Sequence, residues 1–152
     1  MKLEDLFNLI KLIVNGQKAY ELSLSKGGWE GWLQCELWYL LNQNDISSER
    51  ELPYPPPHGK KRCDLVISDQ VNKWVEIKAY GVFRDKSVED FITAIAADVD
   101  KLIHDRPQNT NGISLVVVPK AISHKFLEAI TRRWNNFKFV EYQYVYVFYI
   151  LV

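Results

Sequence analysis

Arg62-Cys63-Asp64-Leu65-Val66-Ile67-Ser68 and Lys73-Trp74-Val75-Glu76-Ile77-Lys78-Ala79-Tyr80 are two alternating, β-branched runs, separated by Asp69-Gln70-Val71-Asn72. Two such runs joined by a short polar gap predict an antiparallel hairpin. Side chains alternate along a strand, so Trp74, Glu76, Lys78 and Tyr80 share one face, while Val75, Ile77 and Ala79 share the other. On the first strand Cys63, Leu65 and Ile67 share a face and Asp64 stands opposite. If both apolar sets enter one core, a three-residue turn centred on Gln70 sets Asp64 against Glu76, with facing Cβ atoms about 5 Å apart. A turn of even length would throw them to opposite faces.

Working outward, Leu3, Leu6, Phe7, Ile10 and Ile13 recur at helical spacing over residues 3–14, and Asn15-Gly16 ends that helix. After Lys26-Gly27-Gly28 a second helix is expected from about Trp29 to Gln43, with the stripe Leu33, Leu37, Leu40 and Leu41. An extended piece at 49–54 follows, and then Pro55-Pro56-Pro57-His58-Gly59, which suits neither a helix nor a central strand. Downstream of the hairpin, Ser87 and Asp90 form a capping-box pattern for a helix bearing Val88, Phe91, Ile92, Ile95, Val99 and Leu102, which ends near Asp105-Arg106-Pro107. Residues 113–118 (ISLVVV) read as a strand buried on both faces. A fourth helix covers about 122–134, and the aromatic, β-branched tail from Phe137 to Val152 supplies one or two strands. The order α, α, β, β, β, α, β, α, β predicts a mixed sheet covered by helices, an α/β fold in one domain over residues 1–152.

Two carboxylates and an ammonium on one face of a sheet are costly. Like charges at about 4–5 Å repel by several kcal/mol at an effective dielectric near 20. A divalent cation resolves the conflict, and a set of oxygen ligands without histidine or thiolate favours Mg²⁺ or Mn²⁺ over zinc. Such an ion can polarise a phosphoryl oxygen and acidify a bound water, while Lys78 orients that water or steadies charge on the phosphate. These parts suit phosphodiester hydrolysis.

Asp64 and the later Glu76-Ile77-Lys78, each on a strand of one hairpin, resemble the PD-(D/E)xK motif of restriction-endonuclease-like nucleases. The segments from Trp29 to Val118 are similar in order to that superfamily's core of helix, three antiparallel strands, helix and strand. The position before Asp64 is Cys63 where the motif's name has proline, a position that varies widely in the family. The resemblance implies a restriction-endonuclease-like fold, with Asp64 and Glu76 on the metal, Lys78 catalytic, and an acid of the leading helix completing the site. Glu30 lies about 35° from the centre of the leucine stripe and Glu36 about 85°, so Glu30 is the expected helix acid. It also follows Gly27-Gly28, as in some resolvase-like members. The implied activity is a Mg²⁺-dependent (or Mn²⁺-dependent) nuclease acting on DNA, with RNA as the alternative substrate. The rival readings are a catalytically silent member of the fold serving as a binding subunit, and an unrelated α/β binding domain.

The rest of the sequence bounds this expectation. The 152 residues are 47% hydrophobic and 25% charged, which is globular in balance, and the 19 Lys and Arg equal the 19 Asp and Glu. Polyanion binding must then rest on local patches. Lys60-Lys61-Arg62, beside His58, is the candidate nucleic-acid-binding run; Lys120, His124, Lys125, Arg132 and Arg133 read as a solvated helix face. Asp98 and Lys101 occupy positions that are polar in the resembling family, and surface ion pairing is their expected role. Cys35 and Cys63 lack zinc-cluster spacing and are expected to be reduced packing residues. The N-terminal residues lack signal-peptide features, and the longest apolar run, Tyr144 to Val152, falls far short of the roughly twenty residues of a spanning helix. A soluble, cytoplasmic protein without membrane association is expected. Both faces of Tyr142–Val152 are apolar, so that strand is either internal or an edge hidden in a homodimer.

Overall fold

The computed structural model describes residues 1–26, 28–83 and 87–152. Gly27, part of the break expected before the second long helix, lies outside the described residues. The chain begins with α1 (Leu3–Val14), whose Leu6, Leu9, Ile10, Ile13 and Val14 are buried at helical spacing. A short helix that the sequence did not announce follows, α2 (Gln17–Ser23); only Ala19 and Ser23 of it are buried, so it carries no apolar stripe to read. Then come α3 (Glu30–Gln43), β1 (Ser48–Pro53), β2 (Arg62–Ile67) and β3 (Lys73–Ala79). The second half is α4 (Val88–His104), β4 (Asn111–Pro119), a 3₁₀ turn at Lys120–Ile122, α5 (Ser123–Arg133), β5 (Lys138–Glu141) and β6 (Val145–Leu151). Ser87 caps α4 by accepting the Asp90 N–H at 3.0 Å.

The strands form one six-stranded sheet in the order β1-β2-β3-β4-β6-β5. Among the described residues only the β3–β4 pair is parallel, and α4 is the crossover that a parallel connection requires. Every residue of β4 except Asn111 is buried, as expected of a strand covered on both faces. One face carries Leu65, Ile67, Val75, Ile77, Ala79, Leu115 and Val147 into a core with α1 and α3. The other packs Val116, Val118, Phe148 and Ile150 against Phe91, Ile95 and Val99 of α4 and Phe126 and Ile130 of α5. The molecule is thus a mixed α/β sheet flanked by helices. No helix among the described residues is long and apolar enough to cross a membrane.

Three expectations change. Cys63 does not join Leu65 and Ile67; it packs with Tyr54, Val66, Trp74 and Leu102, because strict alternation fails where β2 leaves β3. Cys35 is exposed rather than packed, with its sulfur 2.8 Å from a guanidinium nitrogen of Arg50. The tail is two strands, and β6 lies between β4 and β5, so the edge-strand reason for a homodimer falls away.

Candidate active site

The ladder between β2 and β3 decides where the polar residues collect. Its pairs are Leu65↔Val75, Val66↔Trp74 and Ile67↔Lys73, the register that a turn centred on Gln70 requires. There the pairing stops. β2 continues with β1 through Leu52↔Cys63 and Pro53↔Arg62, while β3 continues with β4 as far as Ala79↔Val117. The two strands part, and an opening forms between them. The Tyr80 N–H bonds the Val117 carbonyl of β4, so by alternation the N–H groups of Ile77 and Ala79 face the opening. Backbone donors in such a place need partners. Asp64 Oδ2 accepts from Ile77 N–H at 2.7 Å, and Glu30 Oε2 accepts from Ala79 N–H at 3.1 Å. Two carboxylates are brought to one place by the backbone of β3.

Glu30 reaches the opening from the first turn of α3. The neighbouring Trp29, 1% exposed, donates its indole N–H to the Tyr80 carbonyl at 2.9 Å and so ties the start of α3 to the end of β3. Gly28, at φ 71°, makes the turn into this helix in a left-handed conformation that costs glycine little. Glu36, the other helix acid considered, points elsewhere and meets Lys18 at 3.8 Å.

Glu76 and Lys78 project from β3 toward α4. Glu76 is 1% exposed; its Oε1 accepts from the Tyr54 hydroxyl at 2.6 Å and lies 2.9 Å from Lys101 Nζ. Its Oε2 is buried, and no donor among the described residues reaches it. Lys78 Nζ is 2.8 Å from Asp98 Oδ2 and 3.4 Å from Glu30 Oε1. Asp98 Oδ1 lies 2.8 Å from Lys101 Nζ. The ion pair expected of Asp98 and Lys101 forms, but not at the surface: Asp98 is 5% exposed and bridges both lysines. The signal was present, since Asp98 follows Ile95 by three positions and precedes Leu102 by four, which puts it at the border of the apolar stripe. Lys101 reaches inward on its long apolar stem. Tyr54, just past the end of β1, carried no such sign.

Four carboxylates (Glu30, Asp64, Glu76 and Asp98) thus meet two ammonium groups, which leaves two negative charges in excess when all are ionised. Burial, with Asp64 and Asp98 adding, pushes Glu76 up to about 8. Burial also raises Asp64, against the Ile77 N–H bond, and Glu30, against the attraction of Lys78. For Lys78, burial alone would lower the value, but Asp98 and Glu30 outweigh it and hold the ammonium charged. Lys101 is held up in the same way by Asp98 and Glu76.

Among the described residues, no group of three or more His, Cys, Asp or Glu is arranged to hold a metal ion. A cage is thus missing. Mg²⁺, however, keeps several waters and commonly takes only one or two carboxylates. Glu76 Oε2, with no hydrogen-bond partner among the described residues, and Asp64, whose charge acts on Glu76, are the two carboxylates that would meet that smaller demand.

The basic run is less free than its sequence suggests. Lys60 is exposed, but Lys61 is held by Asp105 at 2.6 Å, and Arg62 donates to the Glu51 carbonyl at 2.7 Å. His58 Nδ1 lies 3.3 Å from the same buried Asp105. On α5, Arg132 pairs with Glu128, and Lys120 of the preceding 3₁₀ turn pairs with Glu141 at 2.5 Å.

Comparison with models of known families, with curated proteins and with solved structures finds no match for the chain.

Proposed function

We propose that this chain is a Mg²⁺- or Mn²⁺-dependent nuclease of the PD-(D/E)xK kind, with a restriction-endonuclease-like core, hydrolysing phosphodiester bonds in DNA. The observation that carries the reading is the convergence at one opening of Asp64, Glu76, Lys78 and Glu30, with a buried Glu76 oxygen that no donor among the described residues reaches. Asp64 and Glu76 would hold the ion. When bound, it supplies polarisation of a phosphoryl oxygen and a lowered pKa for a bound water. Lys78, kept charged by Asp98 and Glu30, orients the attacking water or offsets charge on the phosphate. Glu30 positions Lys78 and closes the edge of β3. All three residues of the basic run are exposed, but Lys61 is held by Asp105 and Arg62 by the Glu51 carbonyl, so we assign Lys60 the phosphate backbone beyond the scissile bond, with Lys61 and Arg62 shaping the loop.

One observation favours a second reading, a silent member of the fold that binds nucleic acid or protein: both lysines are already engaged by carboxylates. Titration calorimetry with Mg²⁺ on the wild type and Glu76→Ala, beside cleavage of supercoiled and linear DNA in Mg²⁺ or Mn²⁺, separates the two. A nuclease binds metal and cuts, and loses both with Glu76→Ala, by at least two orders of magnitude in cutting. A wild type that neither binds metal nor cuts ends the nuclease reading.

A further inference from the structure

Lys101 stands where the nuclease reading, on which this inference rests, needs a cation. Its Nζ is 2.9 Å from Glu76 Oε1 and 2.8 Å from Asp98 Oδ1. Glu76 is 1% exposed and Asp98 5%, so both anions depend on a charge supplied from within. The Lys101 side chain itself is 22% exposed, open toward solvent on one side. Asp98 also holds Lys78, which Glu30 grips from the other side, so Lys78 is fixed between two acids on different helices. Lys101 has both of its acids close by, but only one of them, Glu76, belongs to the carboxylate pair.

We propose that Lys101 is a tethered internal counter-ion, which neutralises Glu76 when that carboxyl is ionised in the metal-free protein and yields it to a divalent cation. An ammonium on Oε1 and a divalent ion on Oε2 would share one carboxylate, where the two positive charges repel at close range. Asp98 survives the exchange as the tether: it belongs to α4, lies three residues before Lys101, and keeps the displaced ammonium beside the site. Metal affinity is then set by competition with a residue of the chain itself.

The test is Mn²⁺ and Mg²⁺ calorimetry, with thermal unfolding at pH 8 with and without metal, on the wild type, Lys101→Met, Lys101→Gln and Lys61→Met. Lys101→Met should bind metal several-fold more tightly than the wild type. It should unfold at a lower temperature than the wild type without metal, and added metal should close that gap. Lys101→Gln keeps a donor for Asp98 and should show the same ordering if the methionine variant folds poorly. Lys61→Met removes a nearby positive charge bound to Asp105 rather than to Glu76, and should leave metal affinity unchanged. If both Lys101 variants bind metal no more tightly than the wild type, or if Lys61→Met tightens binding equally, the counter-ion role is overturned while the nuclease reading stands. If the wild type binds no metal at all, both fall together.

Discussion

Among the described residues, Glu76 bonds no backbone group; its partners are the Tyr54 hydroxyl and Lys101, and its second oxygen has no donor. Burial raises its pKa to about 8, with Asp64 and Asp98 adding to the effect. An unfolded chain releases that proton near pH 4.3. Between these values the native state binds more protons than the unfolded state, so stability falls as pH rises through the window and levels off above it. One proton makes the slope about 1.4 kcal/mol per pH unit. Glu30 and Asp64, also raised by burial, act in the same direction. Asp69 has the opposite sign: Lys73 and the N-terminal ammonium hold it below the usual range, so its contribution is lost on acidification. Metal-free protein should therefore melt at progressively lower temperature from pH 5 to pH 8, and Glu76→Gln should remove most of that slope. Differential scanning calorimetry across the range reads this directly, and an unchanged slope in the variant would refute the assignment to Glu76. At this scale the sequence was informative wherever alternation or stripe position fixed a side chain. It was silent on Tyr54, whose role comes from a loop's path, and misleading on Asp98, whose charge outweighed its place beside an apolar stripe.

Between elements, the critical joint is the one that binds the start of α3 to the end of β3. Trp29→Phe keeps the ring's bulk but removes the indole N–H, leaving the Tyr80 carbonyl without that donor. Loss of a buried bond of this kind costs about 1–3 kcal/mol. Urea unfolding should show a loss in that range, and a midpoint equal to that of the wild type would mean the joint carries nothing. If the proposed activity holds, kcat should fall as well, since Glu30 is the next residue and grips Lys78. The hairpin and its register were legible because period-two alternation and a turn of odd length leave one solution that buries both apolar sets. The parting of β2 from β3 was not legible. It coincides with Glu51 of β1, which adopts a left-handed φ of 56° and is skipped in the pairing with β2 at the level of Asp64. No side-chain pattern signals such a kink. α2 was invisible for a related reason, being two turns with almost nothing to bury.

For the molecule as a whole, the sheet order determines how it meets its neighbours. β6, the most apolar strand of the tail, is paired on both sides, and the exposed edges belong to β1 and to the four-residue β5. β1 carries Glu49, Arg50, Glu51 and Pro53, residues that discourage another strand from adding there. Size-exclusion chromatography with light scattering should therefore give a monomer at micromolar concentration; a stable dimer would mean that a surface other than these edges is sticky. The fold class followed from the order of elements, and the two-sided burial of β4 from its unbroken apolar run. The number of tail strands had to wait for the structure, because Phe137–Val152 is apolar nearly throughout and marks its own turn weakly. A last consequence concerns how such a site would age. Asp64 and Glu30 are stitched into the backbone of β3, so a descendant that abandoned chemistry would still need them to keep its sheet intact. Glu76 has no such second employment and would be the first to drift. If the proposed activity holds, Asp64 and Glu30 would outlive its loss in such a lineage, and the motif glutamate is the residue that would record it.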